Sequence, residues 1–119
     1  MSAADIEDFA WAVKTEDIPN VNKFITQLGV NVKDKNGRTP MHWAADYGHA
    51  SVIELLAKKG ADINAKDRFG ITPLLAAVYD GRTSAVKALL AHGANKTIKD
   101  SDGKTPKECA ESDEIRNLL

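Results

Sequence analysis

Asp34-Lys35-Asn36-Gly37-Arg38-Thr39-Pro40 returns as Asp67-Arg68-Phe69-Gly70-Ile71-Thr72-Pro73 and again as Asp100-Ser101-Asp102-Gly103-Lys104-Thr105-Pro106. The three threonines stand 33 residues apart, with no insertion or deletion between them. The same offset relates Ala44 to Ala77, Gly48 to Gly81, Ile53 to Val86, Leu56 to Leu89 and Gly60 to Gly93. Agreement in both residue type and register at so many positions marks an internal repeat, and a fixed period of this length marks a solenoid.

Each element of the repeat has a local reason. Asp34 and Gly37 suit a tight turn, because Asp bonds its own downstream backbone and Gly accepts positive φ. Thr39 then caps a helix, and Pro40 takes the first helical position, where a missing N–H costs nothing. Thr105 with Glu108 three residues on forms a capping box. Replacing one of these threonines by alanine should cost about 1 kcal/mol. Short inner helices are expected at about 40–47 and 73–80, ended by Gly48 and Gly81. Ala44, Ala45, Ala76 and Ala77 are small enough for close helix approach. Outer helices are expected at about 50–58 and 84–91, where Ile53, Leu56, Val86, Leu89 and Leu90 fall at helical spacing, stopped by Gly60 and Gly93.

The two ends are degenerate copies of the same unit. Trp11-Ala12-Val13 aligns with Trp43-Ala44-Ala45 and Val21 with Ile53 at an offset of 32, with Glu16 in place of the helix-ending glycine. Ile115-Arg116-Asn117-Leu118-Leu119 aligns with Val86-Lys87-Ala88-Leu89-Leu90 at an offset of 29, so about four residues between the last two helices are missing. No helix pair this short buries its apolar face alone, so the copies must stack and the polar end copies must close the pile. The expected fold is one all-α domain, residues 1–119. It is a solenoid of four helix-turn-helix repeats at approximately 3–33, 34–66, 67–99 and 100–119, with β-turn fingers and degenerate capping repeats at both ends.

Bulk properties narrow the function classes. A chain of 119 residues, 43% hydrophobic and 28% charged, has the balance of a soluble folded unit. Sixteen basic and seventeen acidic residues nearly cancel, so neither nucleic acid nor a membrane surface is an expected partner. The N-terminal Met1-Ser2-Ala3-Ala4-Asp5 lacks the basic and apolar blocks of a secretion signal, and no apolar run approaches the roughly 20 residues needed to cross a bilayer. The lone Cys109 cannot form an internal disulfide. These features lead to the expectation of a cytoplasmic location, with the nucleus also open to so small a chain, and of a monomer when free.

No residue pattern carries catalysis. His42 fills a repeat position held by Leu75 and Glu108 in later copies, so it reads as a local structural bond near a helix start, not a base or ligand. Cys109 has no histidine to activate it. There is no phosphate loop, nucleophile elbow or metal-ligand cluster, so the chain is expected to be neither an enzyme nor a holder of a cofactor or metal. Trp11 and Trp43 share one repeat position, where Ala76 and Ala110 stand in the later copies. They are open to two readings: core packing, or a neighbouring pair of aromatic interface anchors. Tyr47 and Tyr79 at inner-helix ends and Phe69 at a turn tip favour an exposed aromatic face. Residues 1–17 carry five acidic side chains against Lys14 alone, a net −4 that leaves the remainder at +3. That is either a solvated cap or a field that steers a basic partner toward the first repeat.

The period and the Gly60-Ala61-Asp62 and Thr-Pro elements resemble the ankyrin-repeat family. Trp11-Ala12-Val13-Lys14, Ala44-Ala45-Asp46, the run Ile71 to Gly81 and the shortened Ile115 to Leu119 end resemble, within it, the myotrophin family of small four-repeat chains. The chain departs from that family at Trp43, where a tyrosine is usual. The resemblance implies a protein-binding module that sequesters heterodimeric actin capping protein, made of alpha and beta subunits, and so promotes filament growth. The contact is expected to be made by inner helices and turns of the first two or three repeats. Trp11 and Trp43 would be its anchors, Arg38, Asp46, Tyr47 and Phe69 would surround them, and Tyr79 and Asp80 would lie beyond. The competing expectations are a generic ankyrin adaptor or inhibitor of another protein, such as a kinase or transcription factor, and, from a different class, an enzyme with a cryptic pocket, which lacks paired acid–base groups to support it.

Overall fold

The computed structural model describes residues 3–119; Met1 and Ser2, part of the stretch read for a signal, lie outside the described residues. The described residues form eight helices and no strand. They pair into four hairpins: α1 (Ala3–Lys14) with α2 (Ile18–Leu28), α3 (Pro40–Tyr47) with α4 (Ala50–Lys58), α5 (Pro73–Tyr79) with α6 (Thr83–Ala91), and α7 (Pro106–Cys109) with α8 (Asp113–Leu118). The inner helices α1, α3, α5 and α7 touch in that order, and α4, α6 and α8 line up behind them. The result is the ankyrin-repeat, all-α solenoid, elongated at 38 × 25 × 20 Å.

The turn-and-cap signature folds as its chemistry dictates. In each finger one carboxylate oxygen organises the loop: Asp34 Oδ1 accepts from the N–H of Asn36 (2.8 Å) and Arg38 (3.0 Å), and Asp67 Oδ1 from Phe69 (2.8 Å) and Ile71 (3.0 Å). Asp100 Oδ1 does the same for Asp102 and Lys104, both at 2.9 Å. Adjacent fingers join where the Arg68 N–H donates to Asn36 O at 2.9 Å. That approach is so close that a Cβ on Gly37, whose φ is 74°, would sit 3.1 Å from Arg68 N. Pro40, Pro73 and Pro106 each open an inner helix behind their threonine caps.

The helix limits depart little from expectation. α5 ends at Tyr79 because Asp80 serves as its C-cap, and α6 starts at Thr83, one residue early, because Arg82 is its N-cap. Glu16, in the register of Gly48, holds the left-handed conformation (φ 54°) and is the single non-glycine described residue with positive φ. Ala44, Ala45, Ile53, Leu56, Ala77, Val86 and Leu89 are fully buried, so the apolar stripes read from the periodicity form the core, with Leu90 only half-buried at its edge.

His42 is a structural rivet. Its ring Nδ1 accepts the Thr39 backbone N–H (3.1 Å), which places the proton on Nε2, and Nε2 donates to Ile71 O in the next finger (2.7 Å). Burial holds its pKa below the ordinary histidine value, the bond to Ile71 opposing it.

Candidate functional site

The fingers and inner helices leave one face open, and five of the eight sequence-selected residues meet there. Arg38, Asp46, Phe69, Tyr79 and Asp80, joined by Asn36, Asp67, Ile71 and Ala76, line a hollow of about 310 Å³. Arg38 reaches from the base of its finger to form an ion pair with Asp46 on α3, and its Nε lies 3.7 Å from Asp67 Oδ2. Burial works against the Arg38 charge, but the bond to Asp46 and the fields of Asp46 and Asp67 outweigh it and raise the pKa further. Asp80 stands against Asp46. Partial burial, then the bond to and charge of Asp46, push the Asp80 carboxyl above the usual carboxylate range, with Arg82 and Arg38 pulling the other way. Arg82 Nε donates to Asp46 O at 2.9 Å and ties the third hairpin to the second. Phe69 (58% exposed) and Tyr79 (45%) stand as aromatic walls, and the Tyr79 hydroxyl donates to Asp100 Oδ2 at 2.8 Å.

The hollow exists because Ala76 is small. In two of the three fingers the second carboxylate oxygen meets a group nine residues on: Trp43 Nε1 donates to Asp34 Oδ2 at 3.3 Å, and Cys109 Sγ to Asp100 Oδ2 at 3.4 Å. The 33-residue register therefore pairs Trp43 with Ala76 and Cys109, which corrects the sequence alignment to Ala110. Alanine has nothing to offer Asp67, and Arg38 crosses from the previous repeat instead. Asn36, Asp67, Ile71 and Ala76 escaped selection from sequence, although a small residue in register with a tryptophan and a cysteine was a usable signal.

Trp43 is not a surface anchor. It is 6% exposed, its ring set edge-on against Phe9 (centroids 5.4 Å apart, 80°), and Phe9 stacks on Phe24 at 5.6 Å. It shows only an edge to a second hollow of about 280 Å³, lined also by Ile6, Glu7, Ala10, Asp34, Lys35 and Asn36. Trp11 occupies the same repeat position yet is 63% exposed. Among the described residues its repeat has neither a finger carboxylate to hold the indole nor a preceding hairpin to cover it. The expected tryptophan pair is thus divided between core and surface. Trp11 instead shares Lys14 with Tyr47: the ammonium lies 5.2 Å from the Trp11 ring and 5.7 Å from that of Tyr47, within cation–π reach. Tyr47, 40% exposed, also stacks on His49, which pairs with Glu16 across the first two hairpins.

No described residues gather into a metal-binding cluster of three or more His, Cys, Asp or Glu, and no helix among them is long and apolar enough to cross a membrane. Burial and Asp100 raise the Cys109 thiol pKa, which disfavours the reactive thiolate. The open face offers shape, aromatic area and carboxylates, an arrangement suited to recognition of another protein.

Comparisons with known proteins agree on the repeat. A family model described as ankyrin repeats (many copies) matches residues 41–90. Myotrophin of Xenopus tropicalis is 46% identical over 59 residues, 47% of this chain and 48% of that protein. Acyl-CoA-binding domain-containing protein 2 of Arabidopsis thaliana is 43% identical over 47 residues, 39% of this chain and 13% of that protein. Delta-latroinsectotoxin-Lt1a of Latrodectus tredecimguttatus is 47% identical over 36 residues, 30% of this chain and 3% of that protein. The chain thus spans about half the length of the myotrophin it matches and much less of the other two.

Proposed function

We propose that this ankyrin-repeat solenoid, a protein-binding module similar to myotrophin, binds heterodimeric actin capping protein, keeps it from filament barbed ends and so promotes filament growth. The likeness to myotrophin carries the reading, and the open face supports it. Among the described residues, Trp11, Tyr47, Phe69 and Tyr79 are the large apolar side chains left in solvent, and all lie on inner helices or a finger. Aromatic side chains in such positions dominate protein interfaces, because they bury much area at little cost in rotamer freedom. The excess of acidic residues in the first 17 positions suits a basic partner and would speed its approach.

Trp11 is the anchor in this reading, and Trp43 acts from beneath by fixing the Asp34 finger. The chain works without catalysis, as a stoichiometric ligand in the cytoplasm. A pyrene-actin assay tests it: with capping protein present, added chain should restore barbed-end growth in proportion to its concentration. No rescue at excess chain would remove the reading.

A second reading, an adaptor or inhibitor acting on a kinase or transcription factor, is favoured by the matches to an acyl-CoA-binding protein and a toxin, since one repeat serves proteins of unrelated name. Partner capture from extract separates the two. Recovery of both capping-protein subunits supports the first, and recovery of a kinase or transcription factor without them supports the second.

A further inference from the structure

On the edge away from the inner-helix ends, the loops leading from each outer helix to the next finger lie side by side. The Asp62 N–H donates to Asn31 Oδ1 and the Asn95 N–H to Asn64 Oδ1, both at 2.8 Å. Asn31 and Asn64 are themselves 33 residues apart. These bonds make three loops into one surface, and that surface is basic. Lys33, Lys66 and Lys99 recur at the same 33-residue spacing immediately before each finger aspartate, with Lys58, Lys59 and Lys96 beside them. All six are exposed, and no ion pair of the described residues involves any of them. Asp62 is the acidic residue among the loops 29–33, 59–66 and 92–99.

A solvated helix end explains part of this, since Lys58 and Lys59 complement the C-terminus of α4. It does not explain Lys33, Lys66, Lys96 and Lys99, which lie outside every helix. The near-neutral total charge, which removed a membrane from the expected partners, conceals the segregation. At physiological salt a charge is felt over only about 8 Å, so an approaching surface meets the edge and not the sum.

We propose that this basic edge docks on a membrane surface rich in anionic lipid headgroups. The side-chain types select that occupant. The loops 29–33, 59–66 and 92–99 contain no Phe, Tyr or Trp to stack on bases or insert among acyl chains. They contain no arginine for bidentate recognition of a particular carboxylate or phosphate, and the nearby Arg68 guanidinium lies over the Phe69 ring, 5.2 Å from its centroid. Lysines on flexible stems, in a row with no apolar anchor, suit a fluid sheet of negative charge that rearranges beneath them. The proposal does not depend on the identity of the protein partner.

Sedimentation of the full chain with phosphatidylcholine vesicles, with and without phosphatidylserine, tests it. Binding should appear only with phosphatidylserine and vanish as salt rises to about 1 M, where the screening length falls to about 3 Å. Each lysine made neutral should lower partitioning about fivefold, so Lys58→Gln/Lys59→Gln/Lys66→Gln should lower it on the order of 100-fold. Lys33→Gln/Lys96→Gln/Lys99→Gln should do the same independently, both variants keeping the parent circular dichroism. Trp11→Ala should leave vesicle binding unchanged. The proposal is overturned if vesicles with phosphatidylserine bring down no chain, if both folded triple variants bind as the parent does, or if polyglutamate or DNA is bound while vesicles are ignored.

Discussion

Replacing His42 by leucine isolates what one buried imidazole does for the stack. Leu75 holds this position in the next hairpin, so the shape is tolerated and the change removes hydrogen bonds more than volume. The Thr39 N–H loses its acceptor, Nδ1, inside the structure, where an unmet donor costs about 1–3 kcal/mol. Ile71 O loses the Nε2–H bond but keeps the Asp67 N–H at 3.0 Å, so that side costs about 1 kcal/mol. The added apolar burial of leucine offsets part of this, and the net expectation is a loss of about 2 kcal/mol at pH 7.5.

The pH dependence has a definite sign. The folded pKa of His42 lies below the unfolded value of 6.5, so the unfolded chain takes up the proton first. The stability that His42 contributes is therefore present above about pH 6.5 and is lost as pH falls toward the folded pKa, at no more than about 1.4 kcal/mol per pH unit. Asp80, whose folded pKa is raised, works in the opposite direction, but it is common to both proteins and cancels in their difference. Urea denaturation followed by far-ultraviolet circular dichroism from pH 7.5 to 5 should show the parent's advantage over the His42→Leu variant shrinking with acid. An advantage that is absent at pH 7.5, or unchanged at pH 5, would refute the tautomer and the rivet together.

Three further outcomes follow from the geometry. Trp43→Ala should destabilise the fold by about 3 kcal/mol or more in the same denaturation assay, whereas Trp11→Ala should leave stability nearly intact and cost about 2 kcal/mol or more in partner affinity by calorimetry. Gly37→Ala and Gly103→Ala both force a side chain into positive φ, costing about 1 kcal/mol, but only Gly37→Ala also drives a Cβ toward Arg68 N; its thermal midpoint should fall further than that of Gly103→Ala. Burial, then the bond to Asp100, raises the Tyr79 phenol pKa, so absorbance titration at alkaline pH should show a late-ionising phenol that is missing from Tyr79→Phe.

What the sequence reveals about this molecule is what neighbouring residues decide among themselves. Asp, Gly, Thr and Pro within seven residues specify the finger and the helix start, and the left-handed Glu16 was visible as the residue standing where a glycine belongs. The fate of the two tryptophans was not visible, because it depends on what covers each one: Phe9 and the Asp34 finger for Trp43, solvent for Trp11. The hollow was equally hidden, since it is made by Ala76, whose side chain does too little to attract notice, and by Arg38 arriving from another repeat. Aromatic exposure at Tyr47, Phe69 and Tyr79 could be read from their places at turns and helix ends, but their division into a Lys14-bridged group and a wall around Arg38 needed the third dimension.

The last hairpin is the lightest course in the pile. α7 has four residues, and in the final turn, helix pair and tail only Pro106, Ala110 and Ile115 are buried. A hairpin with so little buried opens more readily than its neighbours, so amide protons of α7 and α8 should exchange through partial openings that leave the middle hairpins shut. Such an opening would reach Tyr79 through its bond to Asp100 before it reached Trp11, and the surface would lose grip gradually along its length and not all at once.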